Sequence, residues 1–204
     1  MGEKLMMTHD AHSMSPPQLP KRDYYKALYQ AALTISSSLE LDQVLQSVVK
    51  SITEAMQVKA CSLRLLDPDS GQLRMSAVYG LSGAYLAKGP VNISRSPIDS
   101  EALRGSPVFV ANAPTDPRFQ YKDAAKQEGL ASVLCVPLEV HGNAIGVMRV
   151  YTSETVNFDE NDIQFLSVLA SLAALAIENA RLYENVKSSY HGLMDAFWGT
   201  PLNL

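Results

Sequence analysis

The amino-acid sequence predicts an α+β fold: a largely antiparallel sheet of five or six strands, with N- and C-terminal helices flanking it as a bundle. Three observations carry that expectation. Residues 59–79 and 132–151 each read as two apolar, strand-forming runs around a turn, which is the pattern of antiparallel hairpins. Helical three/four spacing fills residues 24–56. It returns after Phe158 and persists for longer than one domain needs.

In chain order, residues 1–21 hold four of the eight Met, two of the four His and three Pro. No apolar period appears, and Pro16-Pro17 and Pro20 block a helix, so a disordered leader is expected. Two histidines on it, His9 and His12, are too loosely held to count as a metal site. From Asp23 onward, Tyr25, Leu28, Ala32, Ile35 and Leu39 take the spacing of an amphipathic helix, and Ser36-Ser37-Ser38 predicts its break. A second helix begins near Asp42, whose charge suits the positive end of the dipole. Its apolar face is Val44, Leu45, Val48, Val49, Ile52 and Met56.

Strand signals follow. Lys59–Leu66 runs into the turn Asp67-Pro68-Asp69-Ser70-Gly71, and Gln72–Tyr79 returns to close a hairpin. Val91–Ser94 and Val108–Ala111 are shorter strands around a one-turn helix, Pro97–Arg104. The polar stretch Gln120–Glu128 ends at Gly129, a helix C-cap. Ser132–Val140 and Ala144–Tyr151 flank the turn His141-Gly142-Asn143.

The closing helix is capped by Asn157 or Asp159 and carries acidic residues in its first turn. It shows two apolar seams. Ile163, Leu166, Ala170, Ala173, Ile177 and Ala180 form one, which turns polar at Glu184 and is expected on the sheet. Phe165, Leu169, Leu172, Ala176, Asn179, Tyr183, Val186 and Tyr190 form the other. Because it continues for about two more turns, it is expected to meet the same helix of a second copy in a homodimer. Packing on the chain's own first helix is the alternative. Residues 188–204, with Phe197, Trp198 and Leu202, read as a C-terminal tail that either docks on the dimer or frays.

Composition narrows the function. With 17 Lys+Arg against 21 Asp+Glu in 204 residues, the net charge is −4, which argues against nucleic-acid binding. Cys61 and Cys135 each sit in an apolar run without metal-ligand or disulfide spacing, as two buried thiols of a reduced compartment would. No signal-peptide pattern occurs near the N-terminus. The longest apolar stretch, Val168–Ile177, is short of a membrane span. The chain therefore reads as soluble and cytoplasmic, with no membrane partner.

Several local runs carry a family likeness. Ser38-Leu39-Glu40-Leu41-Asp42-Gln43-Val44-Leu45, the turn Asp67–Leu73, and Gly105-Ser106-Pro107-Val108-Phe109-Val110 followed by Asp116-Pro117-Arg118-Phe119 occur in order. Ser132–Leu138 with Gly146-Val147-Met148, and then Phe158-Asp159-Glu160-Asn161-Asp162, complete the set. Together they resemble the GAF domain over residues 22–187. The resemblance implies a six-stranded antiparallel sheet of the profilin/PAS-related type, helices on one face and a ligand pocket on the other. It also implies a regulatory role in which a bound small molecule is signalled through the terminal helices.

Known chemical subclasses of that family fit poorly. Cyclic-nucleotide binders carry an Asn-Lys pair where this chain has Tyr151-Thr152. A covalent bilin needs a Cys beside a His, and neither cysteine has one. Haem needs an axial His, and the core candidate, His141, falls in a turn. Sulfoxide reductases of this fold need three pocket cysteines and this chain has two. No phosphate loop, zinc-protease motif or nucleophile elbow is present. By topology, the expected ligand contacts are Arg95, Asp99, Asp116, Arg118, Phe119 and Tyr121 in the loops. Cys135 and Arg149 join them from the central strands. Arg149, a charge on a central strand, requires a partner or a ligand. The expected function is a non-catalytic sensor acting through a protein partner, or as part of a larger protein. A thiol-based reductase and a ligand-free dimerisation scaffold are the alternatives.

Overall fold

The computed structural model describes residues 24–37 and 40–198, without the side chains of 36–37 and 195–198. The expected leader and the side chain of Trp198 lie outside the described residues. Two helices, α1 (Tyr25–Ser37) and α2 (Leu41–Met56), precede the hairpin β1 (Ala60–Asp67) and β2 (Gln72–Tyr79). A four-residue helix α3 (Gly83–Leu86), β3 (Val91–Asn92), a 3₁₀ turn over Ile93–Arg95, α4 (Pro97–Ala102) and β4 (Val108–Val110) follow. Then come α5 (Lys122–Glu128), the hairpin β5 (Val133–Val140) and β6 (Asn143–Tyr151), and α6 (Glu160–Trp198). The strands form one sheet, ordered β3-β2-β1-β6-β5-β4, with every paired neighbour antiparallel.

Alternation along the central strands divides the molecule into two cores. Cys61, Leu63, Leu134, Val136, Met148 and Val150 meet α1, α2 and α6 on one face. Ala60, Val133, Cys135, Val147 and Tyr151 meet Tyr85, Ile98 and Phe119 on the other. Each fully buried Leu or Val contributes about 1.5–3 kcal/mol. The predicted face of α2 is wholly buried, with Thr53 added to it.

The β5–β6 turn is tighter than expected. Val140 pairs with Asn143, leaving His141 and Gly142 as a two-residue loop with φ of 50° and 78°. Positive φ at both positions is the type I′ geometry that matches strand twist.

Helix α6 opens on a reciprocal cap. The Asp162 N–H donates to Asp159 Oδ1 at 2.9 Å, and the Asp159 N–H donates to Asp162 Oδ2 at 3.0 Å. The Tyr24 hydroxyl donates to the same Asp162 carboxylate, and the Tyr24 ring stacks on Phe165 with centroids 3.9 Å apart. This corrects two readings. The inward face of α1 is Tyr24, Ala27, Leu28, Ala31 and Ile35, whereas Tyr25 and Ala32 are exposed. Phe165 and Leu169, assigned to the dimer seam, lie in the chain's own core at 3% and 0% exposure. The apolar stripe left outside runs Val168, Leu175, Leu182, Val186 and Leu193, with exposed Asn179 along it and half-buried Leu172 at its inner edge, about one residue around the helix from the expected seam. Tyr183 and Tyr190 border it, exposed, and Ala176 is half-buried. The other seam packs as expected, with Leu166, Ala170, Ala173 and Ile177 buried beneath the sheet.

Residues 188–198, read as tail, continue α6: the segment contains no Pro, and Gly192 does not take the positive φ that would end the helix. By length and composition, residues 160–194 could cross a membrane. Their first half is instead spent on the sheet.

Asp162→Ala removes the reciprocal cap and the Tyr24 tether together. A loss of about 2–3 kcal/mol is expected in urea unfolding, against about 1 kcal/mol for Asp159→Ala.

Candidate functional site

The second face of the sheet carries a charged cluster. Antiparallel register places Ser62 of β1 opposite Arg149 of β6, and Arg149 opposite Cys135 of β5. Two residues further along β1, Arg64 lies opposite Val147. Arg64 and Arg149 are thus diagonal neighbours on one face, about 7–8 Å apart along the backbone. Each is only 4% exposed.

Helix α4 covers this face and supplies the counter-charge. Its N1 proline and first-turn Asp99 form a single helical turn that presents a fully buried carboxylate. Asp99 pairs with the Arg149 guanidinium and accepts from Ser96 Oγ at 2.6 Å, with Cys135 Sγ 3.8 Å away. Burial opposes the charge on Arg149, yet Asp99, Tyr151 and Cys135 hold the guanidinium well above its usual range. The Phe119 ring stands 5.7 Å from that guanidinium.

Helix α3 closes a second side. Ser82 caps it, accepting from the Tyr85 N–H at 3.2 Å, and Glu128 of α5 holds Ser82 in turn. Tyr85 packs edge-on against Tyr151, whose hydroxyl lies 3.1 Å from Ser62 Oγ. Lys88 follows α3, with Nζ 3.5 Å above the Tyr85 ring. Burial, and then the charges of Arg64 and Arg149, bring Lys88 down to about 7.

Charge is unbalanced here. Among the described residues Arg64 makes no ion pair, and both Arg64 Nε and Arg149 Nε are buried without a hydrogen-bond partner. Gln120 Oε1 is a third such atom. Buried N–H groups are nearly always paired, so orphans on a guanidinium mark unused binding capacity.

The expected contacts divide. Asp99, Phe119, Cys135 and Arg149 are brought together at the cluster. Tyr121 lies at its margin, its ring 5.5 Å from Lys88 Nζ and its hydroxyl donating to Pro90 O at 2.7 Å. Arg95 is exposed on the 3₁₀ turn, outside the cluster. Asp116 and Arg118 bond each other through both carboxylate oxygens, at 3.1 and 2.8 Å, with Arg118 also donating to Phe109 O. That pairing holds Asp116 below the usual carboxylate range and clamps the loop. Sequence reasoning missed Ser62, Arg64, Tyr85 and Lys88; the polar alternation Ser62, Arg64 within an otherwise apolar strand was the available signal.

A solvent-open groove of about 820 Å³ lies elsewhere, lined by Ile35, Leu41, Val44, Asn179 and Tyr183 where α1, α2 and α6 diverge. Among the described residues, no group of three or more His, Cys, Asp or Glu could hold a metal ion.

A sheet of this order, with helices on one face and a buried polar cluster under short helices on the other, defines an α+β domain of one sheet between two cores. The GAF domain family model matches residues 38–178, and the chain belongs to that family. It is 28% identical over 160 residues to the methyl sulfide methyltransferase-associated sensor of Methanosarcina acetivorans, covering 76% of this chain and 16% of that protein. The GAF domain of a phosphoenolpyruvate-protein phosphotransferase from Coxiella burnetii superposes with TM-score 0.72 at 26% identity, over 79% of this chain and 96% of that one. Free methionine-R-sulfoxide reductase from Neisseria meningitidis, in complex with its substrate, superposes with TM-score 0.68 at 21% identity, over 83% and 99%; at that identity the likeness is one of fold. The chain spans less than a third of the length of the first curated relatives it matches.

Asp99→Asn leaves Arg149 buried without its anion, and a loss of about 3–5 kcal/mol in urea unfolding is expected. Replacing both partners, Asp99→Leu with Arg149→Met, is expected to recover most of that loss.

Proposed function

We propose that the chain is a non-catalytic sensory module. It binds a small molecule at the Arg64–Arg149–Asp99 face, and as a cytoplasmic homodimer signals occupancy to a protein partner through α6. The observation that carries this reading is the enclosed cluster with more buried cation than anion. Its walls are short helices and loops rather than long packed elements, which is where ligand sites are built. Transmission has a physical route. Cys135 touches the cluster while its neighbours Leu134 and Val136 pack in the core that contains α6. A displacement of β5 therefore reaches both faces. The exposed α6 stripe supplies the dimer surface, and Asn179 within it would favour one register over others.

The competing thiol reductase is weakened by the cysteines' positions. They occupy opposite faces, both fully buried. Burial raises both thiols, Cys135 to about 12 despite the opposing pull of Arg149. The neutral thiol, which is the poor nucleophile, is the favoured form at neutral pH.

Three measurements test the proposal. Native protein in iodoacetamide at pH 8 is expected to gain no adduct by mass spectrometry, whereas rapid alkylation of Cys135 would restore the thiol reading. Thermal melts against a metabolite panel are expected to give a stabilising compound, worth about 2.7 kcal/mol at a hundredfold its Kd; no hit would favour the scaffold. Light scattering of Leu182→Glu/Val186→Glu is expected to show half the wild-type mass. An unchanged mass would reject the α6 interface.

A further inference from the structure

We infer that the molecule bound at this face is a small oxyanion, its carboxylate or phosphate group held by the Arg64 guanidinium and the free edge of Arg149. The inference rests on the sensory reading above and names the chemical class of its ligand. Four observations converge. Arg64 is nine-tenths buried or more, and makes neither an ion pair nor a hydrogen bond from Nε among the described residues. Its diagonal neighbour across β1 and β6 is a second arginine, so the pair is repulsive unless an anion lies between or above them. Asp99 neutralises Arg149 and makes no ion pair with Arg64 among the described residues: its Oδ2 takes both Arg149 and Ser96 Oγ, and its Oδ1 faces the Cys135 thiol at 3.8 Å. The third basic group, Lys88, rests on the Tyr85 ring, donates to Tyr85 O at 3.3 Å, and makes no ion pair among the described residues. An uncompensated buried charge is strongly unfavourable, and an arriving oxyanion relieves it. Arginine's planar fork matches the two oxygens of a carboxylate or phosphate, which sets the ligand class.

Tyr85, Tyr151 and Phe119 are buried in the core around the cluster. Lys88 adds a pH signature. The groups facing it are Tyr85 on its own turn, Arg64 of β1, Arg149 of β6, Asp99 of α4, Glu128 of α5 and the Tyr121 ring. The two arginines and burial favour its neutral form; Glu128 and Asp99 oppose them less strongly. Below about pH 7 the lysine is charged and attracts an anion; above it, affinity falls. Stability of the free protein moves the other way. A lysine with a depressed folded pKa binds fewer protons folded than unfolded, so stability rises from about pH 7 toward 10.

The test uses the full chain in thermal melts and isothermal titration with inorganic phosphate, acetate, succinate and citrate. Succinamide and glycerol serve as neutral counterparts. At least one oxyanion is expected to bind, at least tenfold more weakly to Arg64→Met and more weakly at pH 9 than at pH 6. The Arg64→Met protein, relieved of an unpaired charge, is expected to melt no lower than wild type. Arg64→Lys, which keeps charge but loses the fork, is expected to bind with intermediate affinity, and surface Arg74→Met is expected to bind like wild type. Phosphate binding without carboxylate binding, or the reverse, fixes which oxyanion is meant. Equal oxyanion affinity in Arg64→Met overturns the assignment. Binding of only neutral compounds overturns it while leaving the sensory reading intact, and no binding from either panel overturns both.

Discussion

The whole architecture depends on strict alternation along three central strands. β1, β6 and β5 each send successive side chains to opposite faces, so one set of residues joins the helical core and the other faces α3 and α4. A slip of one residue would carry Arg64 and Arg149 into the helical core and Leu63 and Met148 out of it, at prohibitive cost. Register is enforced sterically at Gly146. A Cβ there would stand 2.2 Å from the Arg64 carbonyl oxygen, so only glycine lets β6 lie this close to β1. Arg64 is fixed at a point of close strand contact, and the cation cluster follows from that register.

From this constraint the two halves of the molecule acquire different characters. The helical half is saturated with apolar contacts and tied at its edge by the Tyr24–Asp162 bond and the Tyr24–Phe165 stack. The other half is covered by short elements and holds polar groups left unpaired. Helices α3 and α4 are short, and each anchors an apolar side chain, Tyr85 and Ile98, in the second core. The sheet between the two halves is shared, with α6 packed on one face and the polar cluster on the other.

Most of the fold was legible because it rests on periodicity. The face of α2, both hairpins and the sheet-facing seam of α6 are long, regular patterns, and the structure places them as read. The stripe outside was misassigned because Phe165 and Leu169 satisfy the same spacing as their exposed neighbours. Only the Tyr24 contact shows which side of the helix is already taken. Helix α3 was missed because four residues, two of them Gly83 and Ala84, hold no periodic signal, and its stability comes from Ser82 and Glu128, distant in sequence. Arg149 stood out as a charge in a buried strand, whereas Arg64 looked like the ordinary polar member of an alternating one. Telling them apart requires knowing that the second face is also covered. Arg118 and Asp116 were expected as ligand contacts, and the structure shows them bonding each other within their loop.

The functional reading turns on Arg64, buried without an ion pair among the described residues, and on the free edge of Arg149 as the proposed seat of an anion. Native mass spectrometry of the gently purified full chain tests it most directly. The account predicts an excess mass that is lost on denaturation, detected as an anion, and absent from the Arg64→Met protein. A neutral species that Arg64→Met retains at the wild-type level would contradict it.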